Sequence, residues 1–194
     1  MKILQENELI EIKEYLDKDN IIALPTDTVY GLAVKLSSNI ATKKLQDLKE
    51  RENKPFVLMV SNNDDIKNYC EVSNYTQNII DKFLPGELTL VLPKNKTFNN
   101  EYFDKLQTIG IRIPNNKFML ELLNVSGPLL VTSANLKGKE PCLNINDVIN
   151  KLKEVDIIVK GEVSSEIPST VISTINNEIK ILREGKITLK ELEK

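Results

Sequence analysis

The sequence predicts an α/β fold with a mixed β-sheet, and three observations carry that expectation. Short apolar runs of strand length alternate with segments of helical period through the first part of the chain. Towards the C-terminal end, apolar runs follow one another across short polar turns, as in hairpins. No repeat or low-complexity linker interrupts the 194 residues, a length close to one domain, so residues 1–194 are read as a single unit.

In chain order, Leu9, Ile12 and Leu16 recur at helical spacing and mark an amphipathic first helix. Residues 21–24 form a short apolar strand run that stops at Pro25. From Ser38 to about Lys49 the period is helical, with Ile40, the aliphatic stem of Lys44, Leu45 and Leu48 expected inward. Residues 56–60 are a second strand, followed by an Asn-Asn-Asp-Asp turn suited to capping the next helix. Residues 74–83 read as a helix ending before Pro85-Gly86, 88–92 and 109–113 as strands, and 118–123 as a short helix. Residues 128–132 are a strand and 145–152 a helix; 157–159, 170–173 and 179–182 complete the strands. Asn176-Asn177 is the hairpin turn between the last two, because Asn tolerates positive φ. The polar stretches 95–100 and 160–168 are expected to be loops or lids.

Composition narrows the chemistry. The chain has no histidine, which excludes Ser-His-Asp and Cys-His nucleophilic systems and removes the commonest general base and metal ligand. Seven glycines form neither a dinucleotide-binding G-x-G-x-x-G nor a P-loop. An enzyme of this composition works by positioning, fixed cations, hydroxyls and carboxylates, or with a metal brought by the substrate. The net charge of −2 means that any anion site is a local cluster. Cys70 and Cys142 lack zinc-type spacing and are expected as reduced thiols. No apolar run approaches the roughly 20 residues of a membrane span, and residues 1–8 do not resemble a signal peptide. A cytoplasmic protein with no membrane partner is therefore expected.

Polar clusters recur directly after apolar runs, where ligands gather in open α/β sheets, so they are expected to converge on one cleft. Pro25-Thr26-Asp27-Thr28-Val29-Tyr30-Gly31-Leu32 supplies two hydroxyls and a carboxylate, which can hold a small ligand or only shape a turn. Lys49, Arg51 and Lys54 surround a predicted helix end, as phosphate-binding cations or as charges complementing the helix dipole. Pro85-Gly86-Glu87-Leu88-Thr89 reads as a helix stop followed by a strand. In Thr108-Ile109-Gly110-Ile111-Arg112-Ile113-Pro114, an inward arginine needs a partner, either a structural carboxylate or a ligand. Ser133-Ala134-Asn135 ends a strand, where it can face a cleft or cap a helix. Pro168-Ser169-Thr170 and Arg183-Glu184-Gly185 are weak alone.

Taken in order, these strings resemble the YrdC-like threonylcarbamoyl-AMP synthase family in its short, single-domain form, and the matches run from position 25 to 185. The chain departs from the family pattern at Glu87, where a proline is usual, and at Gly138-Lys139-Glu140-Pro141-Cys142, where a Ser-Pro-Thr-like segment is usual. The resemblance implies a twisted mixed sheet around a wide concave cleft. It implies a nucleotidyltransferase joining L-threonine, bicarbonate or CO₂ and ATP into threonylcarbamoyl-adenylate and pyrophosphate, with Mg²⁺ arriving with ATP. The product would serve modification of position 37 in tRNAs that read codons beginning with A. Lys49, Arg51 and Arg112 are the implied catalytic residues. Thr28, Arg112, Ser133 and Ser169 are implied for threonine, and Lys49, Arg51, Lys54, Thr108, Asn135 and Arg183 for ATP, while the role of Asp27 stays open between orienting a hydroxyl, orienting the metal's water shell and shaping the turn. Implied partners are the tRNA threonylcarbamoyl-transferase complex receiving the product and a tRNA or double-stranded RNA contact. Two rivals were weighed. One is a hydrogenase-maturation relative, whose acylphosphatase-like and zinc-finger segments this chain lacks. The other is a catalytically inactive YrdC-like RNA-binding protein, which would show no threonine-dependent turnover of ATP.

Overall fold

The computed structural model describes residues 1–50 and 55–192. Strands β1 (Lys2–Gln5), β2 (Ile22–Leu24), β3 (Gly31–Lys35), β4 (Val57–Met59) and β5 (Leu88–Pro93) come from the first half of the chain. They are joined by β6 (Thr108–Arg112), β7 (Leu129–Ser133), β8 (Ile157–Lys160), β9 (Thr170–Ser173) and β10 (Lys180–Arg183). All belong to one mixed sheet in the order β1-β8-β2-β3-β7-β4-β6-β5-β9-β10. The helices are α1 (Leu9–Asp17), α2 (Asn39–Leu48), α3 (Asn63–Tyr69), α4 (Asn74–Phe83), α5 (Lys117–Ser126), α6 (Ile145–Lys151) and α7 (Leu189–Leu192).

Helix starts follow from single residues. Ser38, Asn62, Ser73, Asn116 and Asn144 each accept a hydrogen bond from the backbone N–H three residues on, satisfying a donor the helix itself leaves open. Gly127, at φ 78°, ends α5 in a conformation that side chains resist. The β9–β10 turn contains Asn176 and Asn177 at φ 63° and 58°, as the dipeptide predicts.

The alternation along the strands divides two cores. Leu32, Leu58, Leu90, Ile111, Leu130 and Ile158 pack on one face with Leu45 of α2, Ile66 of α3, Ile80 of α4 and Val148 of α6. Ala33, Met59, Leu129, Val131 and Ile157 point to the other face, covered by Ile12 and Leu16 of α1 and by Phe118, Met119, Leu122 and Leu123 of α5. Those two helices cover only the β1–β7 side of that face. Over β4, β6, β5 and β9 the face opens as a cleft, which positions everything that follows.

Two sequence expectations need correction. Ile40 is 61% exposed; the buried face of α2 is Ala41, Thr42 and Leu45, because Ser38 as N-cap fixes a rotation that turns the first helical turn's isoleucine to solvent. Strands β1 and β3 were not anticipated. In β1 only Leu4 is buried, so it has no strong pattern, and Gly31–Val34 of β3 is buried throughout and shows no alternation. Cys70 and Cys142 are free and buried, as expected, and burial pushes the Cys70 thiol up to about 12.

Candidate active site

The cleft encloses about 610 Å³ and is built from strand ends. Its floor is a row of paired residues across neighbouring strands, Val91 opposite Gly110, Gly110 opposite Val57, and Val57 opposite Val131. Gly110 leaves the middle of that row flat: a Cβ there would have only the Thr89 methyl within reach, at 3.8 Å. Polar side chains rise at the margins. Thr26 and Thr28 come from the β2–β3 loop, Arg112 from the end of β6, Thr132 and Ser133 from the end of β7, Ser169 from the start of β9, and Arg183 from the end of β10. Members of the first, third, fourth, fifth and last predicted clusters thus share one cavity.

Arg112 is a buried cation in the wall, 2% exposed. Its Nε donates to Gly86 O at 2.9 Å and its Nη1 to Thr28 Oγ1 at 3.2 Å, while Nη2 lies 2.8 Å from Asp27 Oδ2. Both charged side chains are 3% exposed. Burial draws the guanidinium pKa below the ordinary arginine range, and the neighbouring Asp27 charge opposes that fall. Thr28 is held by its own loop: its N–H donates to Thr26 Oγ1 at 3.0 Å, and the two hydroxyls lie 3.1 Å apart. The ST-type turn and the cleft-lining hydroxyl are therefore parts of one loop.

Across the cleft, Arg183 donates from Nη2 to Ser169 O at 2.6 Å and to Ser169 Oγ at 3.1 Å. The Ser169 hydroxyl is in turn 2.8 Å from Thr89 Oγ1. Arg183 holds its place because Gly185 lets the chain turn hard against the Pro168–Thr170 backbone; a Cβ at 185 would meet Pro168 O and Thr170 N at 2.4 Å. On the far side, Ser133 Oγ donates to Asn135 Oδ1 at 2.8 Å. Lys49 extends from the end of α2 beneath this turn, its Nζ donating to Ser133 O at 2.9 Å, Asn135 O at 2.5 Å and Asn135 Oδ1 at 2.6 Å.

The predicted site residues therefore fall into three groups. Thr28, Thr108, Arg112, Ser133, Ser169 and Arg183 line the cavity. Among the described residues, Lys49 and Asn135 stand behind the lining and are tied to it through Ser133. Arg51 and Lys54 lie outside the described residues. Thr26, one of the two hydroxyls offered for a small ligand, lines the cavity too, as do Thr89 and Thr132, to which no role was assigned from the sequence. For Thr89 a signal existed, since alternation along β5 puts it and Val91 opposite to the core residues Leu88, Leu90 and Leu92. Cys142, at the departure from the family pattern, serves the frame: its O accepts from Tyr30 N at 3.0 Å and its N donates to Ala134 O at 2.8 Å.

The described lining contains hydroxyls and guanidinium groups but no carboxylate, and among the described residues no three His, Cys, Asp or Glu side chains cluster as a metal site. The donor set suits an anionic substrate better than a bare cation.

Comparison with known proteins identifies the family. Residues 14–185 match the Sua5/YciO/YrdC family model, whose description reads "Telomere recombination". A Methanocaldococcus jannaschii protein provisionally named a threonylcarbamoyl-AMP synthase is 35% identical over 196 residues, covering 97% of this chain and 93% of that protein. The threonylcarbamoyl-AMP synthase of Wigglesworthia glossinidia brevipalpis is 30% identical over 193 residues, 95% of this chain and 97% of that one. Pyrococcus abyssi Sua5, solved in complex with L-threonine, is 26% identical with a TM-score of 0.91, over 100% of this chain and 60% of that chain. The chain likewise spans about half, 51%, of the mouse and human threonylcarbamoyl-AMP synthases. The family match begins within α1 and ends at Gly185, the glycine that seats Arg183 on the cleft, and this chain belongs to the Sua5/YciO/YrdC family.

Proposed function

We propose that the chain is a threonylcarbamoyl-AMP synthase, forming L-threonylcarbamoyladenylate and pyrophosphate from L-threonine, bicarbonate or CO₂, and ATP. The observation that carries this reading is the Arg112 guanidinium in the cleft wall, flanked by the Thr28 hydroxyl and faced by Arg183, with no histidine in the chain. An arginine fork suits a substrate carboxylate, and a second guanidinium suits phosphate. The names of the relatives that align over nearly the whole chain support the same reading.

The reaction needs no protein nucleophile. The threonine amine attacks CO₂, forming an N–C bond and releasing a proton. A carbamate oxygen then attacks the α-phosphorus of ATP, and the bond to pyrophosphate breaks. The protein's part is to hold the carboxylate at Arg112, to place the hydroxyls of Thr28, Ser133 and Ser169 around threonine, and to meet the nucleotide with Arg183 and Thr108. Lys49 and Asn135 support that wall from behind, and Arg51 and Lys54 are proposed for the phosphates. Mg²⁺ would be held by the triphosphate and its water shell, where it neutralises phosphate charge, since the described lining offers it no carboxylate. Delivery of the product to a tRNA-modifying transferase, contact with RNA and residence in the cytoplasm extend the same proposal. No helix among the described residues is long and apolar enough to cross a membrane.

The test is pyrophosphate release from ATP with bicarbonate and Mg²⁺, with and without L-threonine, with L-serine as control. Release that depends on threonine, and that falls at least tenfold in Arg112→Ala, is expected. A folded protein that binds RNA without threonine-dependent release would replace the enzyme by a binding module.

A further inference from the structure

We propose that Asp27, whose task the sequence leaves open, is the positioning residue for Arg112; the inference rests on the functional reading above. Arg112 lines the cleft and Asp27 does not, so the carboxylate stands behind the guanidinium rather than beside a ligand. Asp27 is itself fixed, since its Oδ2 accepts the Asn115 N–H at 2.9 Å. A buried ion pair is a weak source of stability, because desolvation of two charges offsets their attraction, so stability alone does not account for this pair.

The geometry points to a different use. Nε and Nη1 of Arg112 are committed to Gly86 O and Thr28 Oγ1, which sets the plane of the guanidinium at two edges. The third nitrogen, Nη2, is buried and lies 2.8 Å from Asp27 Oδ2, so the carboxylate holds the third edge. Asp27 Oδ1 accepts no hydrogen bond among the described residues. Asp27 thus fixes the charge and the plane of Arg112 from behind the cleft. A carboxylate arriving from the cleft then meets a guanidinium that is already oriented and charged.

The test separates this role from a merely structural one. Asp27→Asn keeps the shape and an acceptor for Asn115 N–H and removes the charge. With pyrophosphate release as readout, the KM for L-threonine is expected to rise at least tenfold in Asp27→Asn, with the KM for ATP within twofold of wild type. Asp27→Ala serves as the more severe variant, and circular dichroism of each checks that it is folded. An unchanged threonine KM in the folded Asn variant, or equal rises for threonine and ATP, would overturn the proposal. Calorimetric binding of L-threonine to the same proteins distinguishes the two levels. Threonine binding by the wild type with binding weakened tenfold in Asp27→Asn supports the positioning role even without turnover. A wild type that neither binds threonine nor releases pyrophosphate overturns the functional reading, and this inference with it.

Discussion

Lys49 shows how a residue can belong to a site without facing its ligand. Its ammonium group ties together two backbone carbonyls and the side-chain oxygen of the Ser133–Asn135 turn, so its charge is felt in the cleft through the turn it shapes. Lys49→Met keeps much of the aliphatic stem and strips those acceptors of a donor. Buried acceptors left unpaired cost about 1–3 kcal/mol, and urea denaturation of Lys49→Met is expected to show a loss of that order. At this scale the sequence was partly legible. Arg112 was readable as a strand arginine in need of a partner, but its partner Asp27 lies far away along the chain, and nothing in the local string around either residue links them. Ser169 was likewise readable, whereas its bond to Thr89 depends on the register of β5 against β9, which no local pattern encodes.

Elements carry the site through their ends, and two glycines test this in opposite directions. At Gly185 an added Cβ would press on backbone atoms that cannot step aside. Gly185→Ala is therefore expected to cost about 1–3 kcal/mol, to shift Arg183 and to lower turnover, measured by thermal unfolding and pyrophosphate release together. Gly110 has room above it. Gly110→Ala should change stability by no more than about 0.5 kcal/mol while raising the floor of the cleft, so its effect is expected in substrate KM alone. Most helices and strands were legible because period and caps agreed. Asn74–Phe83 emerged with its predicted bounds, since Ser73 caps it and Pro85-Gly86 lies just beyond it. The exceptions follow from physics as well: Gly31–Val34 is packed on both faces, and Ile40 sits on a helix whose rotation Ser38 sets.

At the scale of the molecule, the described carboxylates contribute to acid titration with opposite signs. Burial and the nearby Glu162 charge raise the pKa of Glu6, so its stabilising share is present below the ordinary glutamate range and is lost as pH rises through the raised folded value. Asp147 is lowered, first by the Leu143 N–H that it accepts, so its share is present above the ordinary aspartate range and is lost as pH falls through the lowered folded value. Glu6→Gln is expected to unfold at higher urea concentration than wild type near neutral pH, with the difference vanishing in acid. Equal shifts at both pH values would disprove that assignment.

One asymmetry of the sheet has a thermodynamic corollary. Strands β4, β6, β5 and β9 have helices on one side and an open cleft on the other, so along that stretch a bound substrate would act as the missing third layer. Occupancy then becomes a folding term: a ligand at a hundredfold excess over its dissociation constant adds about 2.7 kcal/mol to the native state. Backbone amides report where that gain is felt. Deuterium uptake should be slowest in β2, β3 and β7, which have helices above and below, and faster in β9 and β10. Adding ATP with threonine should slow uptake in the second group while leaving the first nearly unchanged, so that catalysis and the cooperativity of the fold rise and fall together.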